Sequence, residues 1–207
     1  MFGLVLALLI MFFFSHIIQY GITARTGFPA RAEEIKSSAL RGDLRVRALS
    51  IDNPEGFSHE AFLEVDVLRL KVVPSSLLGN RLVVKRLEVE VSSLTGVRTA
   101  DGRVNFAEFR DAVEGKDGGA GGIGRSVVIE ELRVKIDRVW LIDHALDGPD
   151  RTREYAVGMD LAFSDVVSLR PIAPEVLRQL AGAGISFDPD GIFASLIPER
   201  YLAFYRT

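Results

Sequence analysis

Apolar and charged residues alternate along most of the chain from Asp43 onward. Leu87, Val89 and Val91, for example, are separated by single acidic residues. Since successive side chains of a strand point to opposite faces, this period of two predicts half-buried β-strands of the antiparallel kind. The same alternation recurs in four other segments, which are 44–48, 63–72, 132–142 and 155–163.

The alternation changes phase near Val67 and Leu68, which predicts a bulge or a stretch buried on both faces. Helices are predicted at few places. One is expected from about Pro29 to Leu40 with Gly42 as its stop, and others near 75–79, 105–113 and 172–181. In the second of these three, Asn105 would be the N-cap and Glu108 its capping-box partner.

A sheet with one apolar face must cover that face. The predicted helices are few, so four alternatives remain for what buries the apolar face: the chain's own helices, a second sheet, a partner protein or a lipid acyl chain. If lipid is the cover, the candidate residues that line the groove are those on the two most regular strands. They are Leu87, Val89, Val91, Leu132, Val134 and Ile136.

The N-terminal segment differs from the rest because residues 2–20 carry no formally charged side chain. At about 1.5 Å per helical residue, such a run spans a bilayer's hydrocarbon core, and it predicts a membrane anchor over residues 1–23. A cleaved signal peptide is the alternative, but a basic start and a good cleavage site are missing. Arg25 and Arg31 follow the run, and by the charge rule alone they favour a cytoplasmic main domain.

Composition and motifs exclude several classes of function. The 207 residues have a net charge of -3 and contain no cysteine, which argues against a nucleic-acid partner, disulfides and thiolate chemistry. The three histidines have no metal-ligand spacing, and Asp143 with His144 is read as a turn after a strand. We therefore predict no enzyme activity, no cofactor and no metal site.

The chain divides into six segments at its composition shifts. After the anchor come a juxtamembrane segment 24–42, a β unit 43–113, a Gly-rich linker or loop 114–124, a second β unit 125–170, and a C-terminal helix with an aromatic tail 171–207. The two β units echo each other weakly, in 83–102 and 128–148, which predicts repeated strand pairs. The tail offers candidates for partner contact, which are Phe193, Tyr201, Phe204 and Tyr205.

Residues 40–110 carry a resemblance to a known family. Leu49-Ser50-Ile51 leads into Asn53-Pro54-x-Gly56-Phe57, and a strand, Ser76-Leu77-Leu78 and a Val84-x-x-Leu87-x-Val89 strand follow. "DGRVNF", from Asp101 to Phe106, is a further matching turn. These features resemble the N-terminal segment of AsmA-like proteins, which are bacterial envelope proteins. In this reading Asn53 and Pro54 end one strand, Gly56 permits a corner and Phe57 plugs it.

The resemblance implies a curved β-sheet with an apolar groove and a role in phospholipid transport or envelope biogenesis. It also implies a cytoplasmic N-terminus and a periplasmic main domain, at the bacterial inner membrane. The expected fold class is mainly β (α+β): an N-terminal transmembrane helix followed by a curved antiparallel β-sheet domain with a few short helices.

Two functions from different classes follow. The first is a membrane-anchored periplasmic module that handles phospholipid on the apolar face of its sheet. The second is a non-catalytic accessory subunit that docks on another membrane protein, or assembles with itself, through its aromatic tail.

Overall fold

The computed structural model describes residues 23–24, 26–38, 40–57, 61–114, 126–146, 151–167, 172–185 and 192. Six strands form one sheet, and their order in the sheet follows the sequence. They are β1 (Ala30–Ser38), β2 (Asp43–Asp52), β3 (Ala61–Val72), β4 (Arg81–Arg98), β5 (Ser126–Asp143) and β6 (Thr152–Val166). A 3-10 helix, Pro74–Leu78, joins β3 to β4, while α1 (Asn105–Glu114) follows β4 and α2 (Ile172–Gly182) follows β6.

The predicted fold class is wrong in two respects. No helix in the described part of the chain is long and apolar enough to cross a membrane, and the apolar run 2–20 lies outside the described residues. The sheet is also not antiparallel throughout, because β4 and β5 run parallel. The connection between them, which includes α1, returns the chain to the end at which β4 began, so that β5 runs in the same direction.

The helix predicted from Pro29 to Leu40 is wrong as well, since this segment forms β1 at one edge of the sheet. Alanine, glutamate and lysine favour helices weakly, but pairing with β2 over Ala30–Ser38 overrides that preference. Glu33, Glu34 and Lys36 place charges along an exposed edge, which is how many proteins keep an edge strand from pairing with another chain.

The three other predicted helices and the predicted phase change in β3 are confirmed. Helices lie near all three other predicted places, at Pro74–Leu78, Asn105–Glu114 and Ile172–Gly182. The phase change in β3 coincides with a register shift against β4 between Val65 and Val67. The extra residue there explains why the apolar positions are odd-numbered before the shift and even-numbered after it.

The two long strands β4 and β5 hold a constant register. Arg81 pairs with Ser126 and Arg98 with Asp143, and every pair between them has the same spacing in sequence. The echo predicted between segments 83–102 and 128–148 has this spacing, and its two copies lie side by side over 83–98 and 128–143. At about 3.3 Å per residue, the 18-residue strands extend for about 60 Å.

The core lies on one face of the sheet, and four phenylalanines pack together at one end of it. The rings of Phe28 and Phe109 are 5.1 Å apart at nearly right angles, and Phe62 lies 4.9 Å from Phe109 and 5.6 Å from Phe106. These contacts fix the start of β1, β3 and α1 against one another. Burial of a phenylalanine side chain contributes roughly 1.5–3 kcal/mol, so this cluster is a main source of stability.

Candidate apolar face and its supports

The six candidate groove residues form three directly opposed pairs. Leu87 lies opposite Leu132, Val89 opposite Val134, and Val91 opposite Ile136, on the adjacent strands β4 and β5. Side chains opposite each other on neighbouring strands share a face, so these six residues form one apolar surface. Their alternation predicted that three of them lie on one face of β4 and three on one face of β5, and the parallel register brings these two sets together.

The apolar surface continues across the whole width of the sheet. The row through Val89 and Val134 includes one residue from each of the six strands. Its members, in order, are Ile35, Val46, Leu68, Val89, Val134 and Leu161. Rows on either side are also mostly apolar, which makes this face the largest apolar feature of the described residues.

The helices cover this face unevenly. Phe106 and Phe109 of α1 pack at one end, and Ile172 of α2 packs against Leu132 and Val166 near the other. Five residues in the middle of the sheet are only half-buried although the residues paired with them on the adjacent strands are apolar. They are Leu68, Leu70, Leu87, Val89 and Val134, and we call them the half-buried strip.

The opposite face of the sheet is charged and paired. Arg69 donates to Glu88 at 3.1 Å and to Glu90 at 2.7 Å, and Arg133 forms two hydrogen bonds with Asp160. The hydrogen bond from Arg69 holds the pKa of Glu90 below its usual range, and that from Arg133 does the same for Asp160. The Arg133 pair is exposed and the Arg69 pairs are only partly buried, so each adds little stability, but together they define the polar side of the sheet.

The corner motif around Asn53 is held by Asn105, the first residue of α1. Asn105, which is 0% exposed, donates from Nδ2 to Asn53 Oδ1 and to the Thr95 carbonyl, both at 2.8 Å. Its Oδ1 accepts from the Val97 N–H at 2.9 Å and the Phe106 N–H at 2.8 Å. An asparagine amide has two donors and two lone pairs, so its capacity is fully used.

Further contacts join the corner to the turn that precedes α1. Pro54 is half-buried beside Asn53, and Gly56 has a φ of +96°, a conformation that side chains with a Cβ rarely adopt. The Arg103 guanidinium lies 4.9 Å from the centre of the Phe57 ring, and it also donates to Glu108 at 2.8 Å. The two motifs that carry the family resemblance, far apart in sequence, therefore contact each other. Glu108 pairs with Arg103 instead of serving as the expected capping-box partner.

A basic cleft of about 350 Å³ lies where β1, β2 and β3 meet the β1–β2 turn. Six cations line it, and Asp43 is its only acidic residue within the described part of the chain. The cations are Lys36, Arg41, Arg45, Arg69, Lys71 and Arg86. Sequence reasoning missed this cleft, because its cations are spread over four strands and a turn and form no run along the chain.

The other candidate residues do not form a site. Phe193, Tyr201, Phe204 and Tyr205 lie outside the described residues, as does most of the Gly-rich segment 114–124. A turn follows Asp143, and the carboxylate of Asp143 is bound by Arg98 and by the Ala145 N–H. Within the described ranges, no group of three or more His, Asp or Glu side chains could hold a metal ion.

Comparisons with known proteins give no relative for this chain. No family model, no curated protein and no solved structure matches it. The functional argument therefore rests on the geometry of the sheet, its charges and the motifs quoted above.

Proposed function

We propose that this chain is a non-catalytic, lipid-handling module of AsmA type that acts on the periplasmic side of a bacterial inner membrane. The apolar face of its sheet would shelter a phospholipid acyl chain, with the half-buried strip as the contact surface. The observation that carries the proposal is this strip, in which apolar residues on three adjacent strands keep part of their surface uncovered.

The chemistry of the strip supports an acyl chain as its occupant. Its five members are all leucine or valine, and the charges of β4 and β5 point to the opposite face. A methylene chain needs no hydrogen bonds, so it gains from contact with such a surface, at about 0.8 kcal/mol per buried CH₂. A peptide partner would bring backbone donors and acceptors, and the strip offers none for them.

Cross-linking with a photoactivatable lipid tests the proposal. The full-length chain is reconstituted with a phospholipid that carries a diazirine in its acyl chain, irradiated, digested and mapped by mass spectrometry. We expect cross-links on β4 and β5 at the strip, and we expect Val89→Asp to remove them, because a carboxylate on the apolar face opposes burial of a methylene chain.

Ser92→Asp is the matched control, since it introduces the same carboxylate in the same strand on the exposed side. It should leave the cross-links unchanged, and circular dichroism should show a folded sheet for both variants. Cross-links confined to residues 1–22, or unchanged in folded Val89→Asp, would refute the proposal. If Val89→Asp unfolds the protein and the native chain shows no cross-links at the strip, the strip is ordinary core.

A further inference from the structure

We propose that one end of the sheet docks on an anionic membrane surface. Of the six exposed large apolar side chains in the described part of the chain, five lie at the end where β1, β3 and β6 finish and β2, β4 and β5 begin. We call these five residues the apolar end. They are Leu40, Leu77, Leu78, Val127 and Val167.

The apolar end is assembled from separate connections. Leu40 lies in the β1–β2 turn, Leu77 and Leu78 in the 3-10 helix after β3, and Val127 and Val167 beside the ends of β5 and β6. Leu78 is 92% exposed, Leu40 82% and Val167 71%. Single exposed apolar residues are common, but a cluster contributed by three connections and the start of β5 at one end is typical of an interaction surface.

The connections that carry Leu40 and Leu78 are held in place by hydrogen bonds. The Ser76 hydroxyl donates to the Val73 carbonyl at 2.6 Å and accepts from the Val83 N–H at 3.1 Å. Gly42, with a φ of +67°, accepts from the Val72 N–H at 2.8 Å. These bonds fix the backbone of the connections on which the exposed Leu40 and Leu78 lie.

The charges around the apolar end identify the partner. The basic cleft opens beside the β1–β2 turn, and Arg41 and Arg81 make no ion pair within the described part of the chain. Four of the six cleft cations are paired: Lys36 with Glu34, Arg69 with Glu88 and Glu90, Lys71 with Asp43, and Arg86 with Glu88 and Glu131. Arg41 and Arg45 are the cleft cations without an ion pair among the described residues. Exposed leucine and valine beside free arginine is the combination that binds the interface of an anionic bilayer, where phosphates face the cations and acyl chains face the leucines.

This inference goes beyond the proposed function and uses different residues. The half-buried strip concerns one lipid molecule on a face of the sheet, whereas the apolar end concerns a bilayer at the end of the strands. Either could fail without the other, because acyl-chain cross-linking and membrane depth are separate measurements.

A single fluorescent label tests the docking. The chain has no cysteine, so Leu78→Cys in the full-length protein gives one site for an environment-sensitive nitrobenzoxadiazole label. The protein is placed in phosphatidylcholine vesicles with or without phosphatidylglycerol, and a spin-labelled lipid is used as quencher. We expect quenching at position 78 that requires phosphatidylglycerol and weakens at high salt.

Leu146→Cys is the matched control, since Leu146 is also an exposed leucine (41%) but follows β5 at the opposite end of the sheet. The apolar run 2–20 leads into β1 at that same end, so any quenching of the label at position 146 should not depend on phosphatidylglycerol. The double variant Arg41→Gln, Arg81→Gln should lower the ratio of docked to undocked label at position 78 roughly 30-fold, from about tenfold per 1.4 kcal/mol and about 1 kcal/mol per cation. The same dependence on phosphatidylglycerol at both positions, no quenching at position 78, or quenching at position 78 that is independent of phosphatidylglycerol would overturn the proposal.

Discussion

The buried amide of Asn105 gives the sharpest test of how the corner is held. Asn105→Asp keeps the size and shape of the side chain but replaces its two N–H donors with an oxygen. That oxygen would face the Thr95 carbonyl and Asn53 Oδ1, each of which accepts from Asn105 Nδ2 at 2.8 Å in the native protein. The hydrogen bond from the Val97 N–H can remain, so the change is confined to the donor side.

The expected cost follows from the two hydrogen bonds that the substitution removes. Two buried acceptors lose their donor in a site that is 0% exposed, and an unsatisfied buried polar group costs about 1–3 kcal/mol. We therefore expect Asn105→Asp to lower the free energy of unfolding by about 2–5 kcal/mol near pH 7. Burial and the two facing oxygens should raise the pKa of the new carboxyl in the folded state, because they oppose its charge.

The raised pKa predicts how the loss of stability in Asn105→Asp changes with pH. A carboxyl with a folded-state pKa above its unfolded value of about 3.9 favours folding below that value, and this contribution is lost as the pH rises through the folded-state pKa. The loss in free energy of unfolding that Asn105→Asp causes, relative to the native chain, should therefore be smaller near pH 4 than near pH 7. Physically, the protonated carboxyl can donate one hydrogen bond again.

Urea unfolding of the full-length chain, followed by circular dichroism, measures both quantities. Asn80→Asp is the control, since Asn80 is an exposed residue in the turn before β4 and its side chain has no described hydrogen bond. It should change the free energy of unfolding by less than about 0.5 kcal/mol. A loss in free energy of unfolding for Asn105→Asp that is no larger than this, or that does not become smaller at low pH, would refute the role of the two buried hydrogen bonds.

Two further predictions concern β4 and its partners. In Gly96→Ala, the new Cβ would lie 2.6 Å from Phe106 Cε2 and 2.8 Å from Ile192 Cγ2, so we expect a loss of about 1–3 kcal/mol in thermal or urea unfolding. Gly182→Ala, where a Cβ meets nothing within 4 Å, should be nearly neutral, and equal losses would contradict the packing. Burial acts to raise the pKa of Asp143, but hydrogen bonds from Arg98 and the Ala145 N–H outweigh it, and the net pKa is lowered. The ionised Asp143 therefore stabilises the fold above the unfolded pKa, and this stabilisation is lost as the pH falls through the lower folded-state pKa. Asp143→Asn should lower the free energy of unfolding near pH 7 and make it depend less on pH in the acid range. An unchanged acid dependence would refute this.

Much of the sheet could be predicted from alternation alone. Strands β2 to β6 show a period of two that depends only on which side chains meet water, and Leu87, Val89 and Val91 are a direct example. The edge strand β1 was predicted as a helix because its only partner is β2, so its sequence carries little apolar pattern. The pairing that makes β1 a strand depends on β2, which lies outside the segment from which the helix was predicted.

The parallel direction of β5 could not be read from its residues. A strand with one apolar and one charged face is typical of antiparallel sheets, and β5 has that pattern. Direction is set by the connection that contains α1, which carries the chain back along the sheet. The weak echo between β4 and β5 was the one available signal, but a repeat does not say whether its copies pair parallel or antiparallel.

The candidate site was predictable in part. Three members of the strip, Leu87, Val89 and Val134, were among the predicted groove residues, because each lies on the apolar side of its own strand. Leu68 and Leu70 were not predicted, and two of the predicted residues, Val91 and Leu132, are buried. The basic cleft and the apolar end could not be found in this way. Arg41, Leu78 and Val167 come from three separate connections, and only the order of the strands brings those connections to one end.

The charges along β4 and β5 have a consequence for how the chain folds. Arg86 lies opposite Glu131, and Glu88 opposite Arg133. A slip of two residues would keep every apolar side chain on its own face, but it would bring Arg86 opposite Arg133, or Glu88 opposite Glu131. These two strands meet late, after a long connection has closed, and hydrophobic contact alone could not distinguish the slipped alignments from the native one. The complementary charges thus favour the native alignment of β4 and β5 while the chain folds. Their removal should lower the fraction of molecules that reach this alignment more than it lowers the stability of correctly folded molecules.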